Sequence, residues 1–266
     1  MKKRKFWFFI IPICLFAYLF IRLNTGYWNG IDKITTVVER ENGDTEVVLV
    51  DPKLKEIVYL IIPGDTEVSV ARNLGTMRLK NVWRLGINEG IGGSLVAQTV
   101  TRNFMFPVTL WIDVNGGTNI PIGDRFLLKI FNLKTKNLDK TEINLGEGQF
   151  LKKSILSDGE LGYKLYGQIS NRLTVYFADD FFVGKKIYIK DATGAFGVAK
   201  NVGKIIEVMG GKVTAIEKLP AEASSCQIAG SDKKIISKIS LLFSCKKEMG
   251  TKKVDLEIRL GSDFFL

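Results

Sequence analysis

The sequence predicts an α/β protein carried on a single N-terminal transmembrane helix. Three observations lead there. An uncharged run from Phe6 to Ile21 follows Lys2-Lys3-Arg4-Lys5 and is closed by Arg22. Beyond it, β-rich apolar runs such as Ile57–Ile62 alternate with stretches of helical spacing such as 78–104. The last third, from Lys186 to Leu260, has the order βαββαβ expected of a small α/β sandwich of the split βαβ type.

The apolar run is slightly short for a spanning helix, which needs about 17–25 residues. Lys5 and Arg22 can snorkel and let flanking residues complete the span. The basic cluster stays on the cytoplasmic side, so the folded part lies outside. No A-x-A-like site follows the run, which favours an uncleaved anchor over a signal peptide. The expected organisation is a cytoplasmic tip at 1–5, an anchor at 6–23, a stalk at 24–44 and two domains at 45–183 and 184–266. Tyr27 and Trp28 fit an aromatic belt at the outer leaflet.

The chain of 266 residues carries 38 Lys and Arg against 28 Asp and Glu. Five of those cations and none of the acids fall within residues 1–22, so the outer part has a surplus of about five positive charges. That suits anionic envelope polymers or lipid headgroups; no nucleic-acid-binding motif is present. There is no histidine, which excludes Ser-His-Asp and Cys-His catalysis and imidazole-bound zinc. Cys14 lies in the anchor. Cys226 and Cys245 lie outside, where disulfides persist, and are expected to form a bridge.

Within 45–183, Thr45–Val50 and Ile57–Ile62 read as strands. Pro63-Gly64-Asp65-Thr66 reads as a type II turn, with Glu67–Ala71 as the returning hairpin strand. Residues 78–104 read as two helices broken at Gly90–Gly93, with Ser94 able to cap the second. Val108–Val114 alternates as a strand, and Asp124–Asn132 has helical spacing. Residues 158–183 fit either helix or strand. In 184–266 the expected elements are Lys186–Lys190, helix Ala195–Met209, Val213–Ile216, Cys226–Ile228, helix Lys233–Phe243 and Val254–Leu260. Phe196, Ala199, Val202, Ile206 and Met209 would share the buried face of the first of these helices.

Asp191-Ala-Thr193-Gly194 stands at a strand-to-helix junction. It reads either as an anion site at a helix N-terminus or as a helix cap. Arg78, Lys80 and Arg84 share part of a helical surface, and Arg102 can approach from the next helix. They read either as a phosphate cradle or as a solvated basic face. Trp83 and Trp111 read as packing residues or as sugar-stacking platforms.

Two stretches resemble known families. Asp191–Gly194, Gly197-Val-Ala199, Met209-Gly-Gly-Lys-Val213 and Val254–Gly261 resemble the C-terminal domain of LytR-type envelope proteins over about 80 residues. Asp191 stands where that family usually has asparagine. Ile62-Pro63-Gly64-Asp65-Thr66 resembles the Ile-Pro-Arg-Asp-Thr motif of the LytR-CpsA-Psr family, which moves glycopolymers from a polyprenyl pyrophosphate carrier to the cell wall. The resemblance implies a LytR-CpsA-Psr-like α/β domain over 45–183. Gly64 replaces the family's pyrophosphate-holding arginine, and glycine offers no guanidinium for phosphate oxygens.

The expected protein is therefore a membrane-anchored, extracytoplasmic, catalytically degenerate member that binds wall glycopolymer or polyprenyl phosphate. The alternative is a working phosphotransferase in which Asp65 holds Mg²⁺ and Arg78, Lys80, Arg84 and Arg102 cradle the pyrophosphate. Without that activity no cofactor is expected. A role in transcription conflicts with the outward topology.

Overall fold

The computed structural model describes residues 28–134, 139–148, 150–167, 170–248 and 254–264. The anchor expected over 6–23 lies outside the described residues. Among those described, no helix is long and apolar enough to cross a membrane.

The first half is built on a five-stranded sheet. Strands β1 (Ile34–Glu39), β2 (Thr45–Asp51) and β3 (Glu56–Ile62) form an antiparallel meander, with Ile34 opposite Val50 and Thr45 opposite Ile62. A small hairpin follows, β4 (Glu67–Ser69) with β5 (Thr76–Arg78). Helices α1 (Leu79–Asn88) and α2 (Ser94–Phe104), strand β6 (Leu110–Ile112), helix α3 (Ile122–Lys134) and strand β7 (Asp139–Asn144) come next. The sheet order is β6-β1-β2-β3-β7, with both outer strands parallel to their neighbours. A second hairpin, β8 (Leu151–Ile155) with β9 (Leu161–Leu165), and helix α4 (Ser170–Phe177) complete this half.

Both faces of this sheet are covered, which explains why β2 and β3 read as nearly unbroken apolar runs. Val47, Leu49, Val58, Leu60 and Ile62 meet Leu79, Val82, Trp83, Leu95 and Val100 from α1 and α2. Ile34, Val50 and Ile57 point the other way, onto Trp28 and the Leu127, Leu128 and Phe131 side of α3.

The second half carries β10 (Lys186–Ala192), α5 (Val198–Val208), β11 (Lys212–Lys218), β12 (Cys226–Ala229), α6 (Lys233–Phe243), the two-residue β13 (Lys246–Lys247) and β14 (Leu256–Gly261). The order is β11-β10-β14-β12-β13. Ile187, Ile189, Ile228, Leu256, Ile258 and Leu260 pack against Val202, Ile206, Ile235 and Ile239. Asp232 caps α6, its Oδ1 accepting from the backbone N–H groups of Lys234 and Ile235 at 3.0 and 3.2 Å. Cys226 and Cys245 are bridged, with Cα atoms 4.5 Å apart.

The halves are joined by ion pairs around α6. Lys238 meets the buried Asp179 at 3.1 Å, and Lys234 meets Asp32 at 2.9 Å. Burial pulls the Lys238 ammonium below the usual lysine range, while the Asp179 carboxylate opposes that pull. The backbone N–H of Asp179 donates to the Met209 carbonyl at 3.0 Å, tying the segment after α4 to the end of α5.

Several sequence expectations change. Strand β1 occupies residues 34–39 of the segment read as a stalk. Trp28 is 4% exposed and packed in the core, because its indole covers Phe131 and donates to the Asp32 carbonyl. The strand after the Pro63–Thr66 turn pairs with β5 instead of returning along β3. That turn closes from the Thr66 N–H to the Pro63 carbonyl at 3.0 Å and holds Gly64 at its second position, so it lacks the expected type II register. Ser94 does not cap α2; its hydroxyl accepts from Trp111 Nε1 at 3.0 Å. The strand read over Val108–Val114 is confined to Leu110–Ile112. The ambiguous stretch 158–183 contains both, strand β9 at Leu161–Leu165 and helix α4 at Ser170–Phe177. Phe196 lies outside α5 and is 98% exposed, since the helix begins only after Gly197, whose φ of 85° suits glycine. Finally, β10 and β11 are direct parallel neighbours, so no strand splits that βαβ unit.

Candidate functional site

The site forms where β3 leaves its sheet. The carbonyl of Gly64 accepts from the Lys80 N–H at 3.0 Å, and that of Thr66 accepts from the Leu79 N–H at 2.9 Å. Two donors at the start of α1 are thus satisfied by the turn itself, where no side chain caps the helix. The turn is clamped to α1, and Asp65 projects beside the positive end of that helix.

Asp65 Oδ1 receives two cations. Arg78 Nη1 approaches to 2.8 Å and Lys80 Nζ to 2.7 Å. Arg78 stands in the residue preceding α1, and Lys80 in its first turn. Arg78 is held from its other edge as well. Its Nε and Nη2 donate to the two oxygens of Asp158 at 2.7 and 3.2 Å, a bidentate pair. Asp158 sits at the tip of the β8–β9 hairpin. That hairpin is positioned by the N–H of Tyr163 donating to the Asp65 carbonyl at 3.1 Å.

These contacts set the charges. The Lys80 and Arg78 hydrogen bonds hold the Asp65 carboxyl below the usual aspartate range. The Arg78 fork lowers Asp158 from an ordinary 3.8 to about 2. Asp158 and Asp65 together push the guanidinium upward, so it stays charged at any working pH. The cluster of two carboxylates and two cations is neutral, and Nε, Nη1 and Nη2 of Arg78 each hold a carboxylate oxygen. Four of its five N–H groups are used, the fourth on the Leu161 carbonyl at 3.4 Å, so an anion at Arg78 competes with two aspartates.

The other predicted ligands are not all brought together. Arg84 is exposed one turn beyond Lys80 on α1. Arg102 points elsewhere. Its Nη1 donates to Asn73 Oδ1 at 3.2 Å, and it lines a cleft of about 320 Å³ with Thr193, Phe196, Asn201 and Ser262 of the second half. Burial lowers the Arg102 pKa. Asp191 and Thr193 knit a local turn, with Thr193 Oγ1 donating to Asp191 Oδ1 at 2.6 Å, and neither caps α5. Trp83 and Trp111 are packing residues. Trp83 is 3% exposed, and a Cβ on Gly93 would lie 2.6 Å from Trp111 and 2.7 Å from Trp83.

Sequence reasoning missed Asp158. The Asp158-Gly159 pair marks a hairpin tip, but nothing in the chain order links it to Arg78, 80 residues away.

The Mg²⁺ of the catalytic alternative does not fit these residues as they stand. Its oxygen ligands would have to come from Asp65, whose Oδ1 already faces a guanidinium and an ammonium within 3 Å. Among the described residues no group of three or more acidic or other metal-ligating side chains converges. Gly64 is equally constrained. A Cβ there would overlap the carbonyl of Gly43 and lie 3.1 Å from Lys80 Cβ, so the position before Asp65 admits no side chain without a shift of backbone.

Two outcomes are expected. Gly64→Arg destabilises the fold by roughly 1–3 kcal/mol through overpacking, measured by chemical denaturation, and restores no phosphate binding. The stability that Asp158 draws from Arg78 is fully present above about pH 4 and is lost as pH falls through about 2. In acid titrations, the gap between the native chain and Asp158→Asn therefore closes over that window.

No family model matches the chain, and no curated protein is similar to it in sequence. Solved structures are similar in fold. The crystal structure of B. subtilis TagT aligns with a TM-score of 0.39 and 13% identity, covering 53% of this chain and 87% of that one. The LytR-CPS2A-psr family protein YwtF (TagT) with bound octaprenyl pyrophosphate lipid aligns at 0.38 and 14%, covering 53% and 86%. A transcriptional regulator from Enterococcus faecalis aligns at 0.36 and 10%, covering 68% and 89%.

Proposed function

We propose that this chain is a membrane-anchored, extracytoplasmic cell-envelope protein. In this reading residues 45–183 are a LytR-CpsA-Psr-like domain without phosphotransferase activity, and residues 184–266 are a LytR-type accessory domain. Its ligand is a wall glycopolymer or a polyprenyl phosphate, the class that the sequence resemblance implies.

The observation that carries the loss of catalysis is the neutralised cluster. Asp65 is occupied by Arg78 and Lys80, and Arg78 is occupied again by Asp158. A transferase must stabilise charge that develops on phosphate oxygens, which calls for uncommitted donors aimed at that position. Gly64 supplies none and is sealed against gaining one. Lys80 and Arg84 face solvent on one side of α1 and suit a weaker, reversible contact with an anionic polymer or headgroup.

The test incubates the full-length chain in detergent micelles with a polyprenyl pyrophosphate-linked glycan and Mg²⁺, following both binding and pyrophosphate cleavage. The reading expects binding without cleavage, weakened severalfold in the Lys80→Gln, Arg84→Gln double variant. Cleavage that disappears in Asp65→Ala would overturn it in favour of an active phosphotransferase.

A further inference from the structure

Helix α3 (Ile122–Lys134) buries one face and leaves the opposite one without a partner among the described residues. Leu127, Leu128 and Phe131 turn inward, onto Trp28, Ile34, Val50 and Ile57. Ile122, Phe126 and Leu133 turn outward and are 60%, 49% and 74% exposed. At about 100° per residue these three fall within roughly 40° of arc, so they form one stripe along the helix. Arg125 and Lys129, both exposed, lie on the same side. The helix has a single acid, Asp124, and it is buried. An apolar stripe whose exposed charges, Arg125 and Lys129, are all positive is the composition of a helix lying in a lipid headgroup layer.

The position of the chain says what covers it. Trp28 opens the described residues and stacks edge-on against Phe131 of α3, with ring centroids 6.1 Å apart. The anchor read from the sequence ends at Leu23. The five Cα steps from Leu23 to Trp28 reach at most about 18 Å. With the anchor of the reading above, Trp28 on the inner side of α3 lies within that distance of the end of the anchor.

We propose that the outer face of α3 rests on the outer leaflet, with Ile122, Phe126 and Leu133 at the acyl boundary and Arg125 and Lys129 on anionic headgroups. The proposal rests on the anchor in the reading above. It adds a second membrane contact that fixes how the domain stands on the bilayer. Lysine and arginine stems cover apolar surface while their heads reach phosphate, so the two cations need not interrupt the stripe.

The test uses the full-length chain with Cys14→Ser, in nanodiscs of three parts phosphatidylcholine to one part phosphatidylglycerol. One spin label is placed at a time, through Phe126→Cys on α3, Lys200→Cys on the exposed side of α5, and Phe16→Cys in the anchor. Accessibility to oxygen is compared with accessibility to a water-soluble nickel complex. The expected ratio at position 126 exceeds that at 200 by at least threefold. Adding Ile122→Glu and Leu133→Glu, both at exposed positions, should abolish that excess. A ratio at 126 equal to that at 200 overturns the proposal. The label at 16 reports separately: a water-exposed reading there shows that the anchor has failed, while position 126 alone still decides whether α3 lies on lipid.

Discussion

The close approach of Gly64 to the carbonyl of Gly43 is the constraint on which the site depends. It presses the turn after β3 against the tip of the β1–β2 hairpin. The Gly64 N–H is held there by Asp44 Oδ1 at 2.8 Å. From that position the carbonyls of Gly64 and Thr66 reach the first N–H groups of α1. The clamp therefore fixes a strand exit, a hairpin and a helix start together. Asp65, Arg78 and Lys80 are neighbours because of this backbone arrangement, before any of their charges is considered.

Once they are neighbours, electrostatics decides what the site can do. An unpaired Arg78 beside a helix N-terminus would be a strong anion receptor. The β8–β9 hairpin changes that by delivering Asp158 to the free edge of the guanidinium. The resulting pairs are partly exposed and therefore modest in energy, but they place a carboxylate oxygen on each of the three Arg78 nitrogens. What is left is a neutral cluster, with Lys80 at its solvent side and Arg84 as the further cation beside it on α1. Recognition of a polymer or headgroup needs little more than such a surface, whereas chemistry at phosphate needs preorganised, uncommitted charge.

The sheet was legible where both faces of a strand are buried, because the runs Val47–Val50 and Ile57–Ile62 are then apolar on both faces. Helices α1, α2 and α6 were legible from their periodicity, and the first two also from the glycines at 90–93 that separate them. Strand β1 was harder to read because polar Thr35 and Thr36 interrupt it within an otherwise polar stretch. Phe196 was misplaced because helical spacing extends before Gly197, and spacing alone does not reveal a left-handed cap. At the site, the local partners Asp65, Arg78 and Lys80 could be named from sequence. Their neutralisation could not, since it comes from a hairpin tip about 80 residues away whose pairing follows from tertiary structure alone. Arg102 shows the converse, as its helical position suggested convergence but the turn of α2 aims it toward the second half.

The central claim is that Asp158 silences Arg78. Titration of the full-length chain with inorganic pyrophosphate at neutral pH, native against Asp158→Asn, tests it most directly. The account predicts no saturation at millimolar pyrophosphate for the native chain and at least tenfold tighter binding for the variant, whose guanidinium regains free donors. Micromolar binding by the native chain, unchanged or weakened in Asp158→Asn, would contradict it.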